Sequence, residues 1–213
     1  MQLSLSKLFQ FVIAVSNRHN IDESHSLGHS MRVFHFAEQI IAEEPIYISN
    51  PVILKDHLPI IQAASILHDT CDKKYRNEKE GLVEIGDFLT PIMPSHQIVE
   101  TIRIIENMSY SKVTKYGMPN LGEYQTAFNV VREADLLDAY DFDRSMIYHM
   151  QRNTKSVEDA YYDAYNLFEK RVFKHYDDKL LFTNYAIRKH PELTQTAQIR
   201  IENWRRIFER KAH

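Results

Sequence analysis

Apolar residues recur along the chain at the three- and four-residue spacing of amphipathic helices. The spacing predicts a first helix whose apolar face carries Leu5, Leu8, Phe9, Val12 and Ile13. It predicts a second helix whose apolar side carries Met31, Val33, Phe34, Ala37, Ile40 and Ile41. A third helix is expected over about 51–69 and a short one over 80–89. Ser95 is expected to cap the helix that follows.

Prolines and glycines predict where these helices are interrupted. Pro59 is expected either to end the first part of the third helix or to mark the start of its buried portion. The segment 107–123 contains Gly117, Pro119 and Gly122 and is expected to be a loop. The last third, 156–210, is expected to be helical with a break near Pro191.

The alternation typical of strands is almost missing, and five glycines in the whole chain leave little material for hairpin turns. We therefore predict an all-α fold. With 213 residues, of which 44% are hydrophobic, the chain is expected to form one compact helical domain over 1–213.

Net charge, hydropathy and cysteine content indicate which partners and which cellular compartment to expect. A formal net charge of −3 gives no sign of nucleic-acid binding or of recruitment to an anionic membrane. No apolar run approaches the roughly 18 residues of a membrane span. The first 15 residues suggest an amphipathic helix and not a signal sequence. The single cysteine, Cys71, cannot form an intrachain disulfide, which favours a reducing compartment and a cytoplasmic location.

Two pairs of positions break the apolar pattern with ionisable side chains. His68 and Asp69 interrupt the third helix, and Asp135 interrupts another apolar stretch together with Asp138. A buried carboxylate needs a compensating partner, and a neighbouring imidazole makes a divalent cation a natural one. His68 and Asp69 differ by about 100° around a helix axis, so both reach one ion only near a helix end.

His29, in the first turn of the second helix, completes a set of two imidazoles and two carboxylates. His25 lies four residues earlier, where it would form a chelating pair with His29 on a helix or lie in the preceding turn. A mixed nitrogen and oxygen site tolerates Mn²⁺, Fe²⁺, Mg²⁺, Co²⁺, Ni²⁺ or Zn²⁺. Four protein ligands on an octahedral ion leave two positions for water and substrate, as in catalytic sites.

This set, His29, His68-Asp69 and Asp135, resembles the signature of the HD-domain metal-dependent phosphohydrolases. The flanking segments are similar to the small single-domain bacterial members that act on nucleotides, namely His25-x-x-x-His29-x-x-Arg32-Val33, Leu67-His68-Asp69-x-x-Asp72-x-Lys74-Tyr75, Ser109-Tyr110-Ser111-Lys112 and Glu133-Ala134-Asp135-x-Leu137-Asp138-Ala139. The motif-bearing core covers about 20–140, with C-terminal helices over 141–213. At 140–144, Tyr-Asp-Phe-Asp-Arg replaces the glycines that those relatives usually carry.

The resemblance implies an all-helical HD-domain bundle and a phosphohydrolase that cleaves a phosphate ester or anhydride in a small-molecule nucleotide. Release of pyrophosphate from nucleoside triphosphates is the activity assigned to this branch. One divalent metal ion is expected at His29, His68, Asp69 and Asp135, with Mn²⁺ preferred. A homo-oligomer is compatible with this class.

The remaining site residues have a functional and a plainer interpretation each. Asp72 would orient the attacking water or exchange its proton, or pair with Lys73 or Lys74. Lys74 is expected in the catalytic group, and Lys73 and Lys112 at substrate phosphates, unless they are solvated lysines. Arg32 would bind phosphate or pair with Glu23 or Asp72, and His25 would contact substrate or cap the turn.

Two other functions compete with the enzyme. The first is a helical module that keeps the metal as a structural clamp and binds a nucleotide or protein partner through 140–144. The second is a purely structural helical protein, which the four-ligand set disfavours because four ionisable groups would be costly in a core without an ion. His35, His57, His96, His149 and His175 lie away from these motifs and are expected to be surface residues or core residues with satisfied hydrogen bonds.

Overall fold

The computed structural model describes residues 3–211, and within this range the chain forms eleven α-helices and no strand. The all-α prediction is confirmed. The helices are α1 (Leu5–His19), α2 (Leu27–Glu43), α3 (Pro45–Ser49), α4 (Pro51–Leu67), α5 (Glu78–Leu89), α6 (Ser95–Asn107), α7 (Tyr110–Tyr116), α8 (Gln125–Asp138), α9 (Phe142–Arg152), α10 (Val157–Lys170) and α11 (Asn184–Lys211).

The main hydrophobic core lies around α4, whose small residues Ala63 and Ala64 are fully buried. Helices α2, α6 and α8 pack directly against α4, and α2 also packs along α8. Small side chains on α4 let these neighbours approach closely. The three helices α2, α4 and α8 therefore form a unit whose ends lie near one another.

A second apolar cluster joins the C-terminal helices α9, α10 and α11. Phe142 packs edge-to-face against Tyr161 and Phe168, with ring centroids 5.7 and 5.1 Å apart. Leu193 of α11 packs against both this cluster and the main core. The C-terminal helices are thus connected to the core through α11.

The predicted apolar faces hold for most positions. Leu8 and Val12 of α1 are buried, as are four of the six predicted positions of α2, namely Val33, Ala37, Ile40 and Ile41. Ile13 and Met31 are exposed instead. Each lies about 100° around its helix axis from a buried neighbour, which is enough to turn a side chain to solvent.

Neither proline breaks its helix, since Pro59 lies inside α4 and Pro191 lies inside α11. The predicted break near Pro191 is therefore wrong, whereas the buried apolar residues of α4 begin at Ile60, directly after Pro59, as the second expectation for Pro59 had it. A proline within a helix leaves the carbonyl four residues earlier without its donor. Lys55 and Ile187 occupy those two earlier positions and are exposed, so water can bond the freed carbonyls.

Two further expectations are corrected between α6 and α8. The segment predicted as a loop contains α7, whose first turn is capped by the Ser109 side chain at the backbone N–H of Lys112. Gly117 and the later breakers all follow α7, so they end the helix without excluding it. Ser95 is the first residue of α6, and Pro94 is its N-cap.

Within residues 3–211, every helix is too short or too polar to cross a lipid bilayer.

Candidate metal centre

Four side chains converge where the ends of α2, α4 and α8 meet. His29 comes from the first turn of α2, and Asp135 comes from the last turn of α8. Helix α4 ends at Leu67, and His68 and Asp69 lie in the 3-10 turn that follows. Both side chains therefore leave a helix end, which is the position where neighbouring residues can face one point.

The distances within the cluster are those of neighbouring metal ligands. His29 Nε2 lies 3.0 Å from His68 Nε2 and 3.1 Å from an Asp69 oxygen. Asp135 Oδ1 lies 3.4 Å from His29 Nε2 and 3.7 Å from His68 Nε2. Ligand atoms of His29, His68 and Asp135 all lie within 4.8 Å of one another. Adjacent donors on an octahedral ion at about 2.1 Å are themselves about 3 Å apart.

Hydrogen bonds assign the proton on each imidazole. His29 Nδ1 lies 2.6 Å from Asp138 Oδ2, and His68 Nδ1 lies 3.0 Å from the backbone carbonyl of Ser65. Both partners can only accept, so each Nδ1 donates and each neutral ring has its lone pair at Nε2. Arg144 Nη1 also lies 3.0 Å from His29 Nδ1, but it can only donate and has the carbonyl of Ser24 as its acceptor. Two such lone pairs 3.0 Å apart, flanked by carboxylates, need a proton or a cation between them. The group formed by His29, His68 and Asp135 could therefore hold a metal ion.

The same carboxylates favour the protonated imidazoles when no cation is bound. Burial and Arg144 lower the pKa of His29, but hydrogen bonds to Asp135, Asp138 and Asp69 outweigh them and raise it to about 10. Burial opposes ionisation of Asp135, yet His29 and His68 hold its pKa well below the usual range. A cation would have to displace the proton from His29.

Asp138 connects the cluster to two arginines. Arg32 donates to both of its oxygens, with Nε at 2.6 Å and Nη2 at 3.2 Å. Arg144 Nε lies 3.5 Å away, and Arg144 Nη1 donates to the carbonyl of Ser24. Burial raises the pKa of Asp138, but His29 and the arginines lower it to about 2. Asp138 is therefore ionised and fixes the orientation of His29.

The cluster is closed on its imidazole side and open on its carboxylate side. The side chains of His29 and His68 are 0% and 4% exposed, whereas those of Asp69 and Asp135 are 14% and 27% exposed. His68, Asp69 and Asp135 line a cavity of about 670 Å³. The cavity is large enough for a small molecule to approach the carboxylates.

Most residues predicted at the substrate also line this cavity, namely His25, Asp72, Lys73, Lys74 and Lys112. Lys74 donates to Asp72 through its backbone N–H at 2.8 Å and lies 3.1 Å from it through Nζ. Lys112 Nζ donates to Glu78 Oε1 at 2.6 Å. Lys73 is exposed. Each of the two paired lysines is thus held by an acidic neighbour.

His25 lies in a 3-10 turn before α2 and does not form a helical pair with His29. Its Nδ1 is 2.6 Å from Ser24 Oγ, and its Nε2 is 3.0 Å from Lys74 Nζ. Burial lowers the pKa of His25, so the neutral ring can accept from the Lys74 ammonium. His25 therefore positions Lys74 at the cavity wall.

Arg32 is not among the residues that line the cavity, since its guanidinium points to Asp138. Arg144 does line the cavity, next to the cluster. Sequence reasoning noted Asp138 and Arg144 without assigning them to the site. The three-residue spacing from Asp135 to Asp138 was the available signal for the first, and nothing local pointed to the second.

The chain matches no family model, no curated protein and no solved structure. The interpretation of the site therefore depends on its geometry.

Proposed function

We propose that this protein is a metal-dependent phosphohydrolase of the HD-domain type that cleaves a phosphate ester or anhydride in a nucleotide. The convergence of the His29 and His68 lone pairs with two carboxylates at the edge of a cavity carries this proposal. Hydrolysis of nucleoside triphosphates to monophosphate and pyrophosphate is the first reaction to test.

One divalent cation, with Mn²⁺ preferred and Mg²⁺, Fe²⁺, Co²⁺, Ni²⁺ or Zn²⁺ as alternatives, would be held by His29, His68, Asp69 and Asp135. Bound there, it would supply Lewis acidity for water and for a phosphoryl oxygen. Structural metal sites are usually closed by protein ligands, whereas catalytic sites keep an open position. The exposed carboxylate side of this cluster supports the catalytic type.

Hydrolysis needs a proton acceptor and charge neutralisation from the chain. As the water oxygen bonds to phosphorus, the bridging P–O bond breaks and its electron pair goes to the leaving oxygen. Asp72 would take the proton of the water, since its carboxylate lines the cavity. Lys74, fixed by His25, and Lys73 and Lys112 would neutralise the phosphate oxygens.

The non-catalytic alternative is a metal-clamped binding module, and one contact favours it. Both oxygens of Asp72 are engaged by Lys74, which is the arrangement expected of a carboxylate that only organises the turn. The two functions differ in whether the metal-loaded protein hydrolyses a nucleotide, and Asp72→Asn then tests whether Asp72 takes part in that turnover.

We also propose that the enzyme acts in a reducing compartment, the cytoplasm. The only cysteine, Cys71, is buried as a free thiol. Burial raises the pKa of this thiol to about 12, which leaves it unreactive. The proposed activity implies that the substrate is a phosphorylated small molecule.

The test is turnover by Mn²⁺-loaded protein on nucleoside triphosphates, monophosphates and cyclic dinucleotides, with phosphate and pyrophosphate quantified separately. We expect His68→Ala and Asp135→Ala to lose both metal and turnover, and the exposed His96→Ala control to keep both. Chelator should lower the melting temperature, because an ion in hundredfold excess over its dissociation constant stabilises the fold by about 2.7 kcal/mol. Full metal content in both variants would refute the assigned ligands, and a metal-loaded protein that hydrolyses none of the panel would refute the enzyme.

A further inference from the structure

Arg171 lines the same cavity and lies directly after α10. The centre of its guanidinium lies 3.8 Å from the centroid of the Tyr110 ring, so the aromatic face fixes the plane of the cation. The Nε atom is buried and has no hydrogen-bond partner among residues 3–211. A guanidinium that is oriented yet unpaired has donors left for a ligand.

The other lysine and arginine side chains of the cavity wall are either paired with a carboxylate or exposed to solvent. Lys74 pairs with Asp72, and Lys112 pairs with Glu78. Arg144 pairs with Asp138, while Lys73 and Lys170 are exposed to solvent. In the described part of the chain, Arg171 is the cavity-lining cation that is partly buried and has no carboxylate in contact.

The surroundings of Arg171 add positive charge instead of cancelling it. Arg132 is buried and lies close enough for the charge of Arg171 to help burial lower its pKa. Two of the three guanidinium nitrogens of Arg132 have no partner in the described residues. Burial lowers the pKa of Arg171, and Asp135 is the carboxylate that opposes this effect. If Asp135 binds a cation, its charge is no longer free to balance Arg171. A buried cation without a counterion is costly.

We propose that Arg171 binds a second anionic group of the substrate, a phosphate other than the one attacked at the metal centre. This inference rests on the proposed function, because it assumes that the first phosphate lies at the four-residue cluster. A guanidinium can bind phosphate through two parallel N–H donors, which a lysine cannot do. The protein should then select substrates with linked phosphates over phosphate monoesters.

Binding of two non-hydrolysable probes to the Mn²⁺-loaded protein tests this inference. The probes are the phosphonate analogue of adenosine 5′-monophosphate, in which a methylene group replaces the 5′ bridging oxygen, and its α,β-methylene diphosphate counterpart, measured by calorimetry. The wild type should bind the diphosphate analogue about tenfold more tightly or better, since hydrogen bonds to charged groups contribute about 1.5–3 kcal/mol. Arg171→Gln should bind the diphosphate analogue about tenfold more weakly than the wild type does. Its affinity for the monophosphate analogue should change by less than about twofold.

Lys170→Gln is the matched control, because it removes a cation from the same cavity wall at an exposed position. It should weaken both probes alike and by less than about threefold, as expected for a solvated charge. Arg171→Lys keeps the positive charge but lacks the two parallel N–H donors, so it should still bind the diphosphate analogue selectively more weakly. If Arg171→Gln does not fold, the Arg171→Lys variant provides the test.

Equal loss of both probes in the Arg171 variants, no loss at all, or no binding of the diphosphate analogue to the wild type would overturn the inference. Because the probes are not hydrolysed, the result is separate from turnover. A wild type without activity but with Arg171-dependent binding would refute the proposed enzyme and keep the anion subsite. An active wild type whose Arg171 variants bind both probes as tightly as the wild type does would support the enzyme and refute the anion subsite.

Discussion

Asp138 is the residue on which the orientation of His29 depends. Its carboxylate accepts from His29 Nδ1 at 2.6 Å and is itself held by Arg32. Replacing one carboxylate oxygen by an amide nitrogen would put a donor against the Nδ1 proton and favour the wrong tautomer. We expect Asp138→Asn to lower metal affinity by about 10- to 100-fold, measured by metal titration.

Asp141→Asn is the control for this change. Asp141 lies 3.6 Å from the same arginine and caps α9, but it does not contact His29. The metal affinity of Asp141→Asn should stay within about threefold of the parent, because only Asp138 accepts a hydrogen bond from the proposed ligand His29. Equal metal affinities in the two variants would contradict the role assigned to Asp138.

Asp72 separates a catalytic site from a metal clamp. If Asp72 takes the proton of the attacking water, Asp72→Asn should lower turnover by about 10² to 10⁴ with metal content unchanged. Asp163→Asn, at another cavity carboxylate that pairs with His149, should stay within about threefold, since exposed ion pairs are weak. Activity within about threefold of the parent in a fully metal-loaded Asp72→Asn protein would instead demote Asp72 to a surface carboxylate and leave the metal to activate water alone.

The sequence predicted the residues that gather at the centre but not the contacts that orient them. His29, His68, Asp69 and Asp135 could be chosen because each interrupts or opens an apolar helix. Partners such as Arg144 lie 115 residues from His29 and belong to another helix. Only the packing of α9 against the turn before α2 brings them together, and helical spacing carries no information about that packing.

At the scale of elements, Gly81 lets α5 lie against the turn that presents His68 and Asp69. A Cβ at this position would be 2.5 Å from Cys71 Cβ and 2.8 Å from Cys71 Cα. The second contact is to backbone, so the turn itself would have to move. Gly81→Ala should destabilise the fold by about 1–3 kcal/mol, as overpacking does, and weaken metal binding.

Gly86→Ala is the matched control on the same helix. Its Cβ would meet only the tip of Ile102 at 3.3 Å, which a rotamer change can relieve. Alanine favours a helix over glycine by about 1 kcal/mol, so this variant should be neutral or slightly more stable. Urea unfolding and metal titration of both variants provide the measurement. A Gly81→Ala protein as stable as Gly86→Ala would show that the close contact does not constrain the turn.

Helix positions were easier to predict than helix ends. Regular apolar spacing specified α1, α2 and α4, because each buries one face against the main core. Pro59 and Pro191 do not end their helices, since a helix that loses one hydrogen bond at an exposed position can continue. Helix α7 was missed because its seven residues are too few to display a period.

At the scale of the whole molecule, α8 connects the candidate metal centre to the C-terminal segment. Its Glu133 accepts from the backbone N–H groups of Phe182 and Thr183, while Arg132 donates to the carbonyl of Leu180. Asp135 and Asp138 on the same helix face His29. Unfolding of the C-terminal segment would therefore leave buried charges on α8 without partners, which couples its stability to the site.

His175 makes the stability of the whole fold depend on pH. The side chain is fully buried, and neither ring nitrogen has a partner among the described residues. Burial, with the neighbouring Arg171 and Arg132, lowers the pKa of His175 from 6.5 to about 3. As the pH falls below 6.5, His175 becomes protonated in the unfolded chain but stays neutral in the folded chain. Stability is therefore complete above pH 6.5 and is lost progressively down to about pH 3.

Each pH unit in this range should remove about 1.4 kcal/mol from the free energy of unfolding. His175→Met removes the titrating ring without stranding a partner, so between pH 6.5 and 5 the wild type should lose about 2 kcal/mol more than the variant. Urea unfolding of both proteins in chelator measures the difference without a contribution from metal release. The exposed His96→Gln variant should follow the wild type. Parallel pH profiles for wild type and His175→Met would mean that water reaches the ring, and the buried cations beside it would then be solvated as well.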